Sequence, residues 1–473
     1  MLRAGLRLMR ETTPARGDAG TTLPLPRSGV RGWLTMGIYQ PAFFLAVLFY
    51  SPVLLWRAAF DRRYRKSLRE RIGFVPRRSD ARKVVWIHGV SVGEVKAASN
   101  FIAQLRAQRP DLQLVVSTTT PNGHLVARQE YKDLPVVFYP LDFGRCPARS
   151  IERIRPQCVL LMELEIWPNF LQSARKRNIP VAVINGRISE RTFRGYRLAR
   201  GLLPQLDLIS RYCVQDPAYQ KRLLELGVDP GRVLVTGNMK YDSVAMGRYE
   251  HAAAELRPWL AKAGELVLVA GSTHFDEEVA VLDAVAAVQR DLDRPVRVVL
   301  VPRHPERAPS ICEQVAAAGC LPVRWSEASS LPKLARNAVV VVDTIGQLQR
   351  FYAACDVAFV GGSLIPHGGQ NMLEPAAQGR ATIFGPHTTN FRRDVELLLA
   401  ADAVVQVPDG AAFARELGRL LQDGELRTRL GQKALAVISQ NQGATARTLD
   451  LVSDLLGPPA AAAATTATAA GLE

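Results

Sequence analysis

Carboxylate side chains that can move a proton stand directly after apolar runs in the first half of this chain. Glu94 follows KVVWIHGV, and Glu163 and Glu165 close the run CVLLMELE. Glu94 could act as a general base, although an acidic residue in the first turn of a helix can also merely complement the helix dipole. On an extended chain Glu163 and Glu165 share a face, where each raises the pKa of the other, unless they are only a pair of surface charges.

The second half of the chain places basic and glycine-rich segments after its own apolar runs. Arg303 and His304 follow VRVVLVP, where a cation can hold a phosphate or carboxylate, or can simply be solvated. The stretch GGSLIPHGGQNMLEPAAQG predicts a close backbone approach and then a helix whose first amides bind an anion. One turn into that helix, Glu374 could accept hydrogen bonds from two ribose hydroxyls. The glycines also fit a tight turn, because neither a Walker motif nor G-x-G-x-x-G is present.

Patterns that bind metals are missing from the sequence. The seven histidines show no H-x-x-x-H spacing, and the six cysteines are scattered without a C-x-x-C pair. We therefore expect neither a metal cofactor nor a disulfide framework, as in a protein of a reducing compartment.

The elements that position these side chains are indicated by the alternation of apolar runs with longer mixed stretches. One set of short β-rich runs begins after residue 80, and a second set begins near residue 264. Such alternation predicts doubly wound α/β folding with parallel sheets, in which ligands bind beyond the carboxyl ends of the strands. Because 473 residues exceed the size of one hydrophobic core, we expect two Rossmann-like domains that face a cleft.

The predicted organisation has five parts. In chain order we expect a disordered basic extension, a membrane anchor, two doubly wound domains and a low-complexity tail, over residues 1–35, 36–57, 58–245, 246–457 and 458–473. The uncharged run from Met36 to Trp56 is long enough to span a hydrocarbon core of about 30 Å as a helix, or it lies in the interface or is buried. Seven Lys or Arg against two acidic residues in 57–71 predict a cytoplasmic location for both doubly wound domains.

The charge balance points to a polyanionic partner. The chain carries 60 Lys and Arg against 44 Asp and Glu, a net charge of +16. Nucleic acid, an anionic membrane surface and a phosphorylated substrate all fit this balance. A hydrophobic share of 48% and a mean hydropathy of zero argue against both a multi-span membrane protein and a fibrous chain.

A series of segments resembles the 3-deoxy-D-manno-octulosonic acid (Kdo) transferases of lipid A biosynthesis. In order they are WIHGVSVGE, STTTPNG, ELEIWPN, GNMKYD, GSTHFDEE, PRHPER, DTIGQL, FVGGS, GGQNMLEPAAQG and FGPHTTNF, and the match runs over about residues 50–395. The resemblance implies the glycosyltransferase-B architecture of two Rossmann-like domains with an N-terminal membrane anchor. It implies transfer of Kdo from CMP-Kdo, bound by the C-terminal domain, to the lipid A precursor (lipid IVA) at the cytoplasmic face of the bacterial inner membrane.

The resemblance also implies roles for individual residues. Glu94 matches the family's general base, and we expect its position at a helix start to keep it ionised. Glu165 and Lys240 match positions that support the transition state, where a lysine suits the donor's carboxylate or the departing phosphate. The residues expected to bind CMP are Pro302, Arg303, Ile345, Gly346, Gln347, Asn371, Met372, Leu373 and Glu374. Helix amides and Arg303 would hold the single phosphate without a metal ion.

Two segments depart from the usual motifs of the family. This chain has Gln347 where D-T-M-G-E-L has glutamate, and Gln370 where G-G-H-N has histidine. A backbone contact at residues 345–347 would survive the first change, whereas a contact that needs a carboxylate would not. The resemblance favours CMP-Kdo, the lipid A precursor and an anionic membrane over nucleic acid as partners. The alternatives are a glycosyltransferase or epimerase that uses a UDP-sugar, and a non-catalytic membrane scaffold that binds a nucleotide sugar.

Overall fold

A computed structural model describes the chain over residues 39, 41, 62–78, 82–199, 204–244, 246, 249–262, 264–330 and 333–459. The chain divides into two compact units, one of residues up to 237 together with those from 445 onward, and one of residues 238–444. The predicted extension, nearly all of the predicted anchor and the tail from residue 460 lie outside the described residues. Within the described part of the chain, no helix is both long and apolar enough to cross a membrane.

The first unit is built on a parallel sheet that has seven strands in its described residues, in the order β3-β2-β1-β4-β5-β6-β7. Along the chain its elements are α1 (Arg62–Arg71), β1 (Val84–His88), α2 (Val92–Ala97), α3 (Ser99–Gln108), β2 (Gln113–Thr118), α4 (Pro121–Glu130), β3 (Val136–Phe138), α5 (Cys146–Ile154), β4 (Pro156–Met162), α6 (Pro168–Arg175), β5 (Val181–Gly186), α7 (Glu190–Ala199), β6 (Arg211–Val214), α8 (Pro217–Glu225) and β7 (Val233–Val235).

Burial on both faces explains why these strands read as continuous apolar runs. Every residue of β1 and of β5 is buried, as is usual for parallel strands covered by helices on each side. Trp86 of β1 packs edge to face against Phe170 of α6, with 5.2 Å between the ring centroids. Ser91 and Thr120 cap the amino ends of α2 and α4, so that each helix begins directly after its strand.

The second unit contains another parallel sheet of seven described strands, in the order β10-β11-β9-β8-β12-β13-β14. Its elements are α9 (Glu250–Leu260), β8 (Leu266–Thr273), α10 (Glu277–Val288), β9 (Val296–Pro302), α11 (Ala308–Ala317), β10 (Leu321–Arg324), β11 (Ala338–Val341), α12 (Leu348–Ala354), β12 (Val357–Val360), α13 (Leu373–Ala376), β13 (Ala381–Phe384), α14 (Arg392–Ala400), β14 (Val405–Gln406), α15 (Gly410–Gln422) and α16 (Gly424–Asn441). The prediction of two parallel-sheet α/β domains is confirmed.

The division between the units differs from the expected domain bounds in two places. The first unit ends at residue 237, not 245, because Tyr241 and Val244 pack into the core of the second unit. The last helix, α17 (Ala444–Val452), and the turn after it return to the first unit, although we expected residues up to 457 in the second. Arg211 of β6 binds the Asp454 carboxylate at 2.8 Å, which fixes this returning segment against the first sheet.

Candidate active site

Glu94 lies in the first turn of α2, directly beyond the carboxyl end of β1. Its side chain turns back toward the start of the helix, where the amide of Val90 donates to Oε2 at 2.8 Å and the hydroxyl of Ser91 donates to Oε1 at 2.9 Å. The Ser91 oxygen in turn accepts from the Glu94 amide at 3.5 Å. This reciprocal arrangement is a capping box, and it holds the carboxylate in one orientation at the edge of the sheet.

The pKa of Glu94 is raised, which differs from the expectation that the helix start would simply favour the ionised form. Burial is the largest cause, because it disfavours the charged carboxylate. The hydrogen bonds from Val90 and Ser91 lower the pKa but do not cancel the effect of burial. A carboxylate with a raised pKa is the more basic one, which suits a group that takes up a proton.

Glu163 and Glu165 follow β4 at the same edge, but not on an extended chain as we expected. The strand ends at Met162, and Glu163 adopts the left-handed conformation with φ of 56° while its amide donates to the Ile184 carbonyl at 3.0 Å. For a residue with a side chain this conformation costs roughly 1–2 kcal/mol. The alternation that would put both side chains on one face of a strand is therefore broken at Glu163.

Three carboxyl groups nevertheless interact at this edge. The charge of Glu94 raises the pKa of both Glu163 and Glu165, in each case as the largest effect after burial. The pKa of Glu165 reaches about 7, although a hydrogen bond from Trp167 Nε1 at 2.9 Å opposes the shift. Arg187 lowers the pKa of Glu163. The edge can therefore hold a proton near neutral pH, which two isolated surface charges would not do.

A buried imidazole packs at the carboxyl end of β1, next to this edge, and the sequence analysis did not identify it. His88, the last residue of β1, is fully buried and its ring stacks on Tyr139 at 3.8 Å between centroids. Burial lowers its pKa to about 3, and its Nδ1 lies 3.0 Å from the hydroxyl of Ser117. The neutral ring therefore serves to pack and orient the strand end. Its position as the last residue of an apolar run was the available signal.

Asp142 is a second residue that sequence reasoning missed. Its carboxylate accepts from the amides of Asn169 at 2.9 Å and Phe170 at 2.7 Å, which begin α6 just after Glu165. The hydroxyl of Tyr39 also donates to Asp142 at 3.0 Å. Burial raises the pKa of Asp142 to about 6 despite these bonds. Asp142 therefore fixes the segment that carries Glu165 and joins it to a residue of the predicted anchor.

Lys240 is the only predicted transition-state residue that lies in the second unit. Its Nζ is 2.9 Å from Asp394 Oδ2 and 4.0 Å from the centre of the Phe391 ring. The hydroxyl of Tyr241 donates to the other oxygen of Asp394 at 3.0 Å. The ammonium group therefore already has a carboxylate partner.

Arg303 directly follows β9, as the sequence predicted. Its amide donates to the Thr273 carbonyl at 3.0 Å, so the end of β9 is tied to the end of β8 while the Arg303 side chain is exposed. Pro302 is buried beneath it. His304 is also exposed and lies 3.3 Å from the Glu306 carboxylate. The guanidinium group of Arg303 is thus open to an anionic ligand.

The segment from Ile345 to Gln347 forms the turn between β11 and α12. Ile345 is 87% exposed, and Gly346 has a φ of 87°, which glycine adopts without strain. The Gln347 side-chain oxygen accepts from Arg350 Nη1 at 3.1 Å. The side chain of Gln347 is therefore bonded within the protein. The turn presents its backbone to a ligand.

The segment from Asn371 to Glu374 differs from the expected anion-binding helix start. Helix α13 has four residues, and the side-chain oxygen of Asn371 already accepts from the Leu373 amide at 3.2 Å. Asn371 also donates to the Glu374 carboxylate at 3.1 Å, which sits in the first turn of α13 and not one turn further. Met372 and Leu373 are fully buried. This segment therefore offers polar side chains, and the Leu373 amide is already bonded to Asn371.

The glycines before this segment bring two strand ends together. A Cβ at Gly361 would lie 2.6 Å from the carbonyl oxygen of Ser272, and Gly369 has a φ of 78°. The segment therefore needs glycine both for a tight turn and for a close approach between β12 and β8. In the part of the chain that the structure describes, no group of three or more His, Cys, Asp or Glu side chains could hold a metal ion.

Comparison with known proteins identifies relatives over most of the chain. A family model described as 3-deoxy-D-manno-octulosonic-acid transferase (kdotransferase) matches residues 66–243. A 3-deoxy-D-manno-octulosonic acid transferase from Haemophilus influenzae is 34% identical over 398 residues, which cover 83% of this chain and 92% of the relative.

Solved structures show where else this fold occurs. A glycosyltransferase from Rickettsia africae, 12% identical, superposes with a TM-score of 0.50 over 80% of this chain and all of that chain. A UDP-GlcNAc 2-epimerase from Neisseria meningitidis, 14% identical, superposes with a TM-score of 0.52 over 79% of this chain and all of that chain. Identities this low show the fold alone. The two parallel-sheet domains resemble those of glycosyltransferase-B enzymes.

Proposed function

The chain belongs to the Kdo transferases, a family of glycosyltransferases, and from that premise we propose that it transfers Kdo from CMP-Kdo to the lipid A precursor, lipid IVA. The transfer contributes to lipopolysaccharide synthesis. The orientation of Glu94 by Val90 and Ser91 at the end of β1 is the observation that carries the mechanism.

In the proposed step Glu94 is the general base. Its carboxylate takes the proton of an acceptor hydroxyl while the hydroxyl oxygen forms a bond to the anomeric carbon of Kdo. The bond from that carbon to the phosphate oxygen breaks, and CMP leaves with the electron pair. A base with a pKa above that of an ordinary glutamate accepts this proton more readily, and the raised pKa of Glu94 supports the role.

Glu165 and Lys240 support the transition state in this proposal. Positive charge develops on the anomeric carbon as the bond to phosphate lengthens, and an ionised Glu165 would stabilise it. Because the pKa of Glu165 is about 7, the fraction of ionised Glu165 rises through neutral pH. Lys240 would have to exchange Asp394 for an anion of the donor.

The donor nucleotide is held at the carboxyl edge of the second sheet. We assign the phosphate of CMP to Arg303, whose exposed side chain follows β9. The turn at Ile345, Gly346 and Gln347 and the segment from Asn371 to Glu374 follow β11 and β12, and complete the CMP site. A single phosphate carries less charge than a diphosphate, and we propose that Arg303 and the adjacent donors neutralise it without a metal ion.

We place the reaction at the cytoplasmic face of the bacterial inner membrane. The run from Met36 to Trp56 would provide the anchor, and the basic segment 57–71 would lie at the anionic surface. Phe74 supports this location because it is 40% exposed and lies 4.4 Å from the guanidinium group of Arg149. An exposed aromatic ring beside arginine suits the lipid headgroup region.

A transfer assay tests the proposed function. The full chain is incubated with lipid IVA and CMP-Kdo generated in situ, and the product is analysed by mass spectrometry. We expect a product heavier by one or more Kdo units, and a rate roughly 100- to 10,000-fold lower for Glu94→Ala, which is the range of general-base effects.

The matched control is Glu152→Ala. Glu152 is an exposed glutamate on α5, outside the cluster of Glu94, Glu163 and Glu165, and its replacement should leave the rate unchanged. A folded protein that binds UDP in preference to CMP would overturn the proposal in favour of a UDP-sugar enzyme. CMP binding without transfer by the wild type would favour the non-catalytic scaffold.

A further inference from the structure

Three histidines meet at the carboxyl edge of the second sheet, beside the proposed nucleotide site. His274 directly follows β8, His304 lies two residues beyond β9, and His367 lies in the segment that follows β12. The ring of His274 is 3.9 Å from that of His367 and 6.0 Å from that of His304, measured between centroids. We refer to His274, His304 and His367 as the histidine cluster.

The carboxylates nearest to the histidine cluster are already satisfied by the protein. Glu277 is buried and accepts from the amides of four residues at 2.7–3.1 Å: Gly362, His274, Ser363 and Leu364. Glu278 is fully buried and binds both Nη atoms of Arg307, at 2.8 and 3.1 Å. Glu306 is mostly exposed, and its carboxylate lies 3.3 Å from His304 Nδ1, so a bound anion would compete there with an exposed carboxylate. The edge therefore presents imidazole groups and the exposed Arg303, while both buried carboxylates beside them are bonded within the protein.

His274 is held as a neutral hydrogen-bonding group within this edge. Burial is the largest cause that lowers its pKa to about 4, and the nearby charges of His367, His304, Arg307 and Arg303 act in the same direction. The side-chain nitrogen of Gln370 lies 3.1 Å from His274 Nε2. Because an amide nitrogen can only donate, Nε2 accepts this bond and the ring proton of neutral His274 lies on Nδ1.

The chemistry of the donor calls for a second anion site next to the phosphate. In CMP-Kdo the phosphate ester and the carboxylate of the sugar are attached to the same anomeric carbon, so both anions enter one small region. Arg303 lies beside the histidine cluster and is assigned to the phosphate. Lys240, the sequence-based candidate for the carboxylate, is already paired with Asp394 at 2.9 Å.

We propose that the histidine cluster is the subsite that binds the carboxylate of the donor's sugar acid. The assignment rests on the proposed function, because it takes CMP-Kdo as the donor. N–H groups of imidazole rings donate to carboxylate oxygens, and the positive charge of neighbouring arginines strengthens such bonds. The cluster would therefore give CMP linked to a sugar acid a higher affinity than CMP alone.

The test measures donor binding without the acceptor, so that it remains readable if transfer to lipid IVA fails. A fluorescent CMP derivative is displaced from the full chain by CMP and, separately, by freshly prepared CMP-Kdo. The variant carries His304→Ala and His367→Ala, two exposed rings whose loss should leave the core intact. We expect the Kd of CMP-Kdo to rise at least tenfold while the Kd of CMP stays within twofold.

Two outcomes would overturn the assignment. An unchanged Kd of CMP-Kdo would mean that no anion binds at the cluster. A rise by the same factor for CMP and CMP-Kdo would mean that the cluster binds the phosphate instead. His251→Ala, which removes an exposed imidazole on α9, is the matched control and should change neither Kd. If the double variant unfolds on circular dichroism, the single variant His367→Ala is measured by the same criteria.

Discussion

The carboxyl edges of the two sheets carry opposite chemistry on closely related scaffolds. Both sheets are parallel and seven-stranded over the described residues, and they differ in that β11 lies between β10 and β9 in the second sheet. The carboxyl edge of the first sheet, which we call the acidic edge, gathers Glu94, Glu163 and Glu165, whose pKa values are all raised by burial. The carboxyl edge of the second sheet, which we call the basic edge, gathers Arg303 and the histidine cluster. Its nearest buried carboxylates are hydrogen-bonded to groups of the protein.

This difference shows that the residues after the strands, and not the sheets, decide what each unit can do. An edge that raises carboxyl pKa values can accept a proton, whereas an edge that carries arginine and imidazole side chains can hold an anion. A reaction that deprotonates an acceptor and binds an anionic donor needs both kinds of edge. A substitution at one edge should therefore leave the property of the other edge unchanged.

The largest binding effect is expected at the basic edge. Replacing Arg303 by alanine removes the exposed cation after β9, and we expect the Kd of CMP to rise about 10- to 100-fold, as for loss of a charged hydrogen bond of about 1.5–3 kcal/mol. Calorimetry with CMP measures this effect. Arg429→Ala, at an exposed arginine of α16, is the control and should leave the Kd unchanged. A similar loss for Glu94→Ala would break the comparison, because the acidic edge would then also hold CMP.

We expect ionised Glu165, at the acidic edge, to lower the free energy of unfolding. The folded-state pKa of Glu165 is about 7, above its ordinary value, so folding favours the protonated form. The destabilising effect is absent below about pH 4, grows as the pH rises toward 7 and is complete above it. We expect Glu165→Gln to stabilise the protein by about 1–3 kcal/mol at pH 8 and to have no effect at pH 4. Urea unfolding at both pH values measures this, and equal effects at both would contradict it.

The cap of α2 links stability to the pKa of the proposed base. Replacing Ser91 by alanine removes an N-cap and one donor to Glu94, and we expect a loss of about 1 kcal/mol in unfolding free energy. Because the lost bond favours the ionised form, the pKa of Glu94 should rise, and the acidic limb of the pH–rate profile should move to higher pH. Ser91→Thr keeps the hydroxyl and should restore both properties; failure to do so would exclude the cap as their cause.

The smallest effect is expected at Gln347. Its side chain binds Arg350 and the turn presents its backbone, so Gln347→Glu should change the Kd of CMP by less than about fivefold. This expectation follows from the size of a single exposed charge interaction, up to about 1 kcal/mol. Calorimetry again provides the measurement. A tenfold tighter Kd would show that the contact requires a carboxylate.

The alternation of apolar runs predicted both sheets because buried parallel strands read as continuous hydrophobic segments. The return of α17 to the first unit could not be predicted in the same way. It depends on contacts such as Arg211 with Asp454, which lie far apart in the chain and leave no local pattern. The bound at residue 237 likewise reflects the packing of Tyr241 and Val244, not a change in composition.

For the site, the position after a strand was an informative signal, and backbone conformation was the missing one. The position after a strand pointed to Glu94 and Arg303, which lie at the edges of their sheets as expected. It could not foresee the left-handed backbone at Glu163, since nothing in the run CVLLMELE signals a positive φ there. The sequence analysis singled out His304 but could not group it with His274 and His367, because the three residues follow different strands and show no common spacing in the sequence.

The central claim is that the acidic edge supplies the base and the basic edge binds the donor. Its most direct test is the pH dependence of single-turnover transfer at saturating CMP-Kdo. If Glu94 is the base, the wild-type rate should fall on the acidic side with a pKa above that of an ordinary glutamate, in keeping with the burial of the side chain. The residual rate of Glu94→Gln should lack the contribution of Glu94 and keep only the dependence on the ionisation of Glu165, near pH 7. Its Kd for CMP should equal that of the wild type. An acidic limb that persists unchanged in Glu94→Gln would contradict the account, because the proton would then be taken up by another group.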